Sequence, residues 1–218
     1  MPLQFSLQRL RSVLVPPVII FLVLVPSSVL ASFGIIFFTF TSHQRGDFLW
    51  FDNRYVELGF PKNWYGAPLE NINSTSGNTY STVFIAQDVF LAIGITIYDR
   101  SATQTYIDKY NLANNTRAIL VFESNRTYHN ILESSSNATL EMVESGTRSV
   151  SGYEADYSIY LIRNSYVENN VTKNISFLTI FYFADGQLVQ IAYWGSEEAF
   201  VQSRQTFDAV LNQLSVKT

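Results

Sequence analysis

From Ser12 to Phe40 the chain carries no charged side chain, and no other stretch constrains it as strongly. At about 1.5 Å per residue a helix of that length would run roughly 43 Å, while a hydrocarbon core of about 30 Å is crossed by about 20 residues. The segment is therefore long enough to span a bilayer once. Pro16, Pro17 and Pro26 interrupt it, so part of it is expected at an interface or kinked. Nothing in it would give a helix a wet face, which argues against a buried helix of a soluble protein. Arg9 and Arg11 precede the run, and beyond it Arg45 stands among acids such as Asp47 and Asp52. The positive-inside rule then expects residues 1–11 in the cytoplasm, residues 12–42 as the anchor and the remainder outside. A second reading stays open, in which Val29-Leu30-Ala31 marks a cleaved signal peptide and the chain is secreted after Ala31. Against cleavage, Phe33 to Phe40 continues the apolar run where a mature secreted chain should be polar.

About 175 residues follow, enough for one well-packed domain. Twelve basic and all eighteen acidic residues lie there, a net of −6. A mildly acidic domain without basic runs is a poor partner for nucleic acid or an anionic membrane surface. The chain has no cysteine, so disulfides, thiolate metal sites and cysteine nucleophiles are excluded together. Asn-x-Ser/Thr sequons without proline at the middle position occur at Asn73, Asn114, Asn125, Asn137, Asn170 and Asn174, all beyond the apolar run. An Asn- and Ser-rich composition produces some such triplets by chance, but their placement in expected loops and strand edges on the outer side favours glycosylation of some. Dense sequons without cysteine resemble an archaeal cell-surface protein.

Residues 43–54 read as a juxtamembrane connector, with Trp50 and Phe51 as interfacial aromatics. Tyr55 to Phe60 alternates and stops at Pro61, a first strand. Glu70 to Tyr80 reads as an exposed loop, followed by strands over Thr82–Ala86 and Val89–Tyr98. In the longer one Leu91, Ile93, Ile95 and Ile97 share a face. Thr103 to Ala113 reads as a helix capped by Ser101 or Thr103. Asn114 to Ser136 is ambiguous between strand and loop. Strands are expected over Thr139–Glu144 and Tyr153–Arg163, with a polar loop over Asn164–Asn174. Ser176–Ala184 and Gln187–Trp194 flank Asp185-Gly186, the preferred pair for a type I′ hairpin turn. Ser196 caps a last helix, with Glu197 and Glu198 in its positive first turn and Phe200, Phe207, Val210, Leu211 and Leu214 on one stripe. The fold class expected is α+β: an antiparallel sheet flanked by helices, as one domain over residues 55–218, preceded by one transmembrane helix.

Chemistry-bearing residues are scarce. His43 and His129 are too far apart for a helical metal motif, and no Gly-x-Ser-x-Gly elbow, Walker loop or dinucleotide fingerprint occurs. Glu154 and Asp156 sit two apart on a strand and point to one side, a pattern that could hold a cation or an acid–base pair but that a solvated strand face produces far more often. No catalytic residue, cofactor or metal is expected. Among the aromatics, Trp64 and Tyr65 follow a strand and precede a polar loop, which makes them the expected exposed interaction patch.

The order of elements resembles the PsbP-like family, named for the extrinsic subunit of photosystem II, whose fold is shared with Mog-type Ran-binding proteins. The matching residues are Phe60-Pro61-Lys62-Asn63-Trp64 after the first strand and Val150-Ser151-Gly152-Tyr153-Glu154-Ala155 at a strand entry. The hairpin through Asp185-Gly186 with Tyr193-Trp194 and the closing Leu211-Asn212-Gln213-Leu214-Ser215-Val216 complete the match. The resemblance covers roughly Tyr55 to Lys217 and is similar to compact archaeal versions tethered by one N-terminal segment. It implies an antiparallel sheet with helices on its sides and a non-catalytic accessory role with an unidentified protein partner. A small-ligand or glycan-binding module is the alternative. No residue matches the plant protein's partner- or ion-binding surface, and no photosynthetic function is carried over.

Overall fold

The computed structural model describes residues 43–45, 47–52, 55–69, 73–74, 77–134, 137–168 and 171–217. The apolar run over residues 12–40, and with it the expected anchor or signal segment, lies outside the described residues. No helix among the described residues is long and apolar enough to cross a membrane.

The fold is α+β, and every strand pairing among the described residues is antiparallel. A small sheet joins β1 (His43–Arg45), β2 (Phe48–Asp52), β3 (Val56–Pro61) and β12 (Ser215–Val216) in the order β1-β2-β3-β12. The main sheet is built from β4 (Trp64–Leu69), β6 (Gly77–Ala86), β7 (Leu91–Tyr98), β8 (Thr139–Val150), β9 (Tyr153–Glu168), β10 (Val171–Ala184) and β11 (Gln187–Ser196). Its order is β4-β6-β7-β11-β10-β9-β8, with the short β5 (Asn73–Ser74) hooked onto β6. Helices α1 (Arg100–Lys109) and α2 (Thr116–Ser134) lie on one face of this sheet. The small sheet and helices α3 (Glu197–Gln202) and α4 (Arg204–Leu211) close the other.

Alternation along the strands decides which residues enter which layer. Leu91, Ile93, Ile95 and Ile97 of β7 point with Leu178, Ile180, Val189 and Ile191 toward the small sheet, where Phe51, Leu58 and Phe60 meet them. From α3 and α4, Phe200, Phe207, Val210 and Leu211 fill the same core. Tyr193 stacks on Phe207 with ring centroids 4.4 Å apart. On the opposite face, Tyr98, Phe181 and Leu188 pack under Ala102 and Tyr106 of α1 and Ile119 and Leu120 of α2.

The hairpin at Asp185-Gly186 forms as its sequence dictates, with positive φ at both residues (48° and 84°) and Ala184 facing Gln187. Several boundaries differ from expectation. Within the expected connector, His43–Arg45 and Phe48–Asp52 pair as the strands β1 and β2, and Phe51 is buried edge-on against Phe84 with centroids 5.7 Å apart. Within the expected exposed loop over Glu70–Tyr80, β5 and the start of β6 pair, and Tyr80 is buried. Gly77 (φ +105°) is required there, because a Cβ would lie 2.3 Å from the Ala102 backbone nitrogen. The cap of α1 is Asp99 rather than Ser101 or Thr103: Ala102 N donates to Asp99 Oδ1 at 2.7 Å and Asn78 N to Oδ2 at 2.7 Å. Within the ambiguous stretch over Asn114–Ser136, Thr116–Ser134 form the 19-residue helix α2, its start fixed by Ala118 N donating to Asn115 Oδ1 at 3.1 Å. β9 and β10 run on through most of the expected polar loop, to Glu168 and from Val171. The last helix divides at Ser203 into α3 and α4.

Candidate functional site

Trp64 does not offer an exposed patch. Lys62 and Asn63 turn the chain straight from β3 into β4, where Trp64 pairs with Ala86 and its side chain enters the main core at 6% exposure. The strand periodicity places an aromatic there inward, and burying it removes a large apolar area from water. Tyr65 pairs with Ile85 through its backbone, and its side chain lies outside the described residues. Glu154 is exposed, and Asp156 accepts a hydrogen bond from the Thr116 hydroxyl at 2.5 Å, so this carboxylate ties α2 to β9. His129 is exposed on α2 rather than in a loop, its ring 5.9 Å from that of Tyr128, and the side chain of His43 lies outside the described residues.

Of the sequons, Asn125 lies on α2 and not in a loop, Asn114 lies between α1 and α2, Asn137 precedes β8, and Asn174 lies on β10. Asn170 and the side chain of Asn73 lie outside the described residues.

Two arrangements escaped the sequence reading. The first is a buried polar cluster between α1 and α2. Glu123, 5% exposed, accepts a hydrogen bond from the Tyr106 hydroxyl and pairs with Arg126 Nη2 at 2.5 Å. Burial pushes the Glu123 carboxyl above its ordinary value of 4.5, outweighing the Arg126 charge and the Tyr106 hydrogen bond that pull it down. Burial and the Glu123 charge together push the Tyr106 and Tyr98 phenols up. Burial works against the Arg126 charge, but Glu123 beside it holds the guanidinium above its usual value. Tyr106, as a neutral phenol, donates to Glu123. The acid is gripped from two sides, and Tyr98, Tyr106, Tyr110 and Phe122 wall it in with successive centroids 5.4, 5.1 and 4.8 Å apart. Such a cluster fixes the two helices against each other. A spacing of three between Glu123 and Arg126 would have signalled it, had the stretch read as a helix.

The second is the free edge of the main sheet. β8 is 12 residues long, pairs only on its β9 side among the described residues, and is exposed over most of its length. Its register slips between Met142 and Glu144, and Met142 and Val143 at that bulge are each 59% exposed. Glu141 pairs with Arg163 at 2.7 Å, Glu144 accepts from the Tyr157 hydroxyl at 2.6 Å, and Arg148 reaches Asp208 at 2.9 Å. A bulge and flanking charges restrain indiscriminate edge pairing, while the backbone groups that no described strand pairs remain able to receive one.

No protein-family model matches the chain, and no curated protein sequence matches it. Among solved structures, the chain is similar to the cyanobacterial PsbP of Synechocystis sp. PCC 6803, at 14% identity and a TM-score of 0.47, over 86% of this chain and 98% of that one. It is also similar to LpqN of Mycobacterium tuberculosis, a protein involved in cell envelope biogenesis, at 9% identity and a TM-score of 0.38, over 75% of this chain and 83% of that one. The functional reading therefore rests on this chain's own residues.

Proposed function

We propose that this domain is a non-catalytic accessory module, held at the outer face of a membrane by residues 12–42, and that it docks a protein partner through the β8 edge. The observation that carries the reading is the edge itself: a long strand that no second strand pairs among the described residues, with two adjacent exposed apolar side chains, Met142 and Val143. An extended segment of a partner adds to such an edge by backbone hydrogen bonds, and pockets for alternate side chains select it. The charge-free run and the acidic, cysteine-free remainder support the placement outside the membrane.

The test is chemical crosslinking of the full chain in intact cells, followed by recovery from solubilised membranes. A stoichiometric partner is expected with the wild type and lost with the Met142→Lys, Val143→Lys double variant. Surface changes of this kind alter stability by about 0.5 kcal/mol or less, so thermal melting of the variant separates lost docking from lost folding. Recovery of the chain alone, or a partner retained by the folded variant, overturns docking at this edge. Saturable heat release with oligosaccharides would instead support the glycan-binding alternative.

A further inference from the structure

We infer that Asn137 is an N-glycosylation acceptor and that its glycan sits at the start of the exposed β8 edge. The inference rests on the outward placement proposed above. A sequon is used when both the asparagine amide and the hydroxyl two residues on can be reached, and when the folded surface leaves room for a bulky sugar.

The four sequons with described side chains differ in this respect. At Asn114 the hydroxyl partner, Thr116, is committed to Asp156 at 2.5 Å. Asn125 is exposed but lies within α2, and its partner Thr127 is 4% exposed beneath the helix. The Asn174 amide is held at both ends: Oδ1 accepts from Asn164 N at 3.2 Å, and Nδ2 donates to Glu197 Oε2 at 2.9 Å. Its partner Ser176 is 6% exposed. Asn137 differs from all three. Its side chain is exposed and so is Thr139, and neither side chain makes a hydrogen bond to a described residue. The backbone is meanwhile held in place, because Asn164 Nδ2 donates to the Asn137 carbonyl at 3.3 Å and Thr139 pairs with Arg163.

The reaction is a glycosyl transfer from an oligosaccharide linked to a lipid phosphate. Asn137 Nδ2 forms a bond to the anomeric carbon as the bond from that carbon to the phosphate oxygen breaks. The electron pair leaves with the lipid phosphate, and the amide proton passes to a base of the transferase. No redox change is involved. The product places a hydrophilic mass beside the first pairs of β8 and leaves the stretch from Met142 to Val150 open, so sugar and partner occupy different parts of one edge.

The experiment expresses the full chain, with an Asn-Gly-Thr acceptor appended after Thr218, in cells that carry an N-glycosylation pathway, and reads glycopeptides by mass spectrometry. The appended acceptor reports whether the domain crosses the membrane. The expected result is a modified appended acceptor and a glycan on the Asn137 peptide that is lost with Asn137→Gln and Thr139→Ala and kept with Thr139→Ser. A modified appended acceptor with bare Asn137, or with Asn125 occupied in preference to it, overturns the assignment and leaves the outward placement standing. If the appended acceptor and Asn137 are both bare, the outward placement falls and the assignment falls with it.

Discussion

Toward the small sheet, the main sheet presents Ile93, Ile95, Leu178, Ile180, Val189 and Ile191, whereas under α1 and α2 it presents Ser81, Thr96, Ser158, Thr179 and Gln190 among its apolar residues. The helices lying on that second face add Thr103, Glu123 and Thr127, all buried. The first face is held by area removed from water, which is non-directional and tolerant of small shifts. The second is held in part by specific hydrogen bonds and one ion pair, which demand a single placement of each helix. The contrast teaches that the C-terminal helices are attached by packing and the central helices by registration.

Variants on the two faces should therefore fail differently. The largest loss is expected from Phe207→Ala, which removes the ring stacked on Tyr193 and leaves a cavity: about 3–5 kcal/mol, read as a lowered urea midpoint without pH dependence. Glu123→Ala follows at about 3 kcal/mol, since it strands Arg126 and the Tyr106 hydroxyl in the interior. If it melts like the wild type, the registration account of the second face is wrong.

Glu123→Gln sharpens the point. Because burial raises the folded pKa of Glu123 above 4.5, its contribution is full below that value and is lost as pH climbs through the folded pKa. Wild-type stability, measured by urea melts across that window, should fall with rising pH relative to the Glu123→Gln variant, whose amide does not titrate. A parallel pair of profiles would remove Glu123 from the comparison.

Thr103→Val comes next. The hydroxyl donates to the Tyr98 carbonyl at 3.0 Å and accepts from Leu188 N at 2.9 Å, so its loss leaves a buried N–H without a partner at about 1–3 kcal/mol. Asp99→Ala, which removes the cap of α1, should cost about 1 kcal/mol, with faster amide exchange confined to the first turn of α1 and the neighbouring Asn78.

The first face was legible in the chain and the second was not, for a physical reason. The large aliphatic residues at alternate positions of Leu91–Ile97 and the stripe from Phe200 to Leu214 are local signatures of the face that meets the first core, and Asp185-Gly186 names its own turn. In α2, by contrast, the inward residues Ile119, Leu120, Glu123 and Thr127 mix apolar and polar groups, so no amphipathic contrast marks the helix. Its Asn, Ser and β-branched residues favour other states locally, and packing on β9 and β10 overrides them. Trp64 misled for a related reason: the two-residue turn before it, and hence the direction of its side chain, depends on β4 finding β6.

What the sequence determined alone was the class and the local grammar: an uncharged run of bilayer length, an α+β class with an antiparallel sheet flanked by helices, the paired hairpin strands and the apolar face of the C-terminal helix. These follow from short-range periodicity and turn chemistry, which act within a few residues. Tertiary structure alone decided that His43–Arg45 and Phe48–Asp52 pair into a second sheet and that Thr116–Ser134 is helical. It also decided that Trp64 is interior, that Glu123 meets Tyr106, and that β8 is an edge among the described strands. Each of those outcomes depends on partners distant in sequence, which short-range periodicity and turn chemistry do not encode.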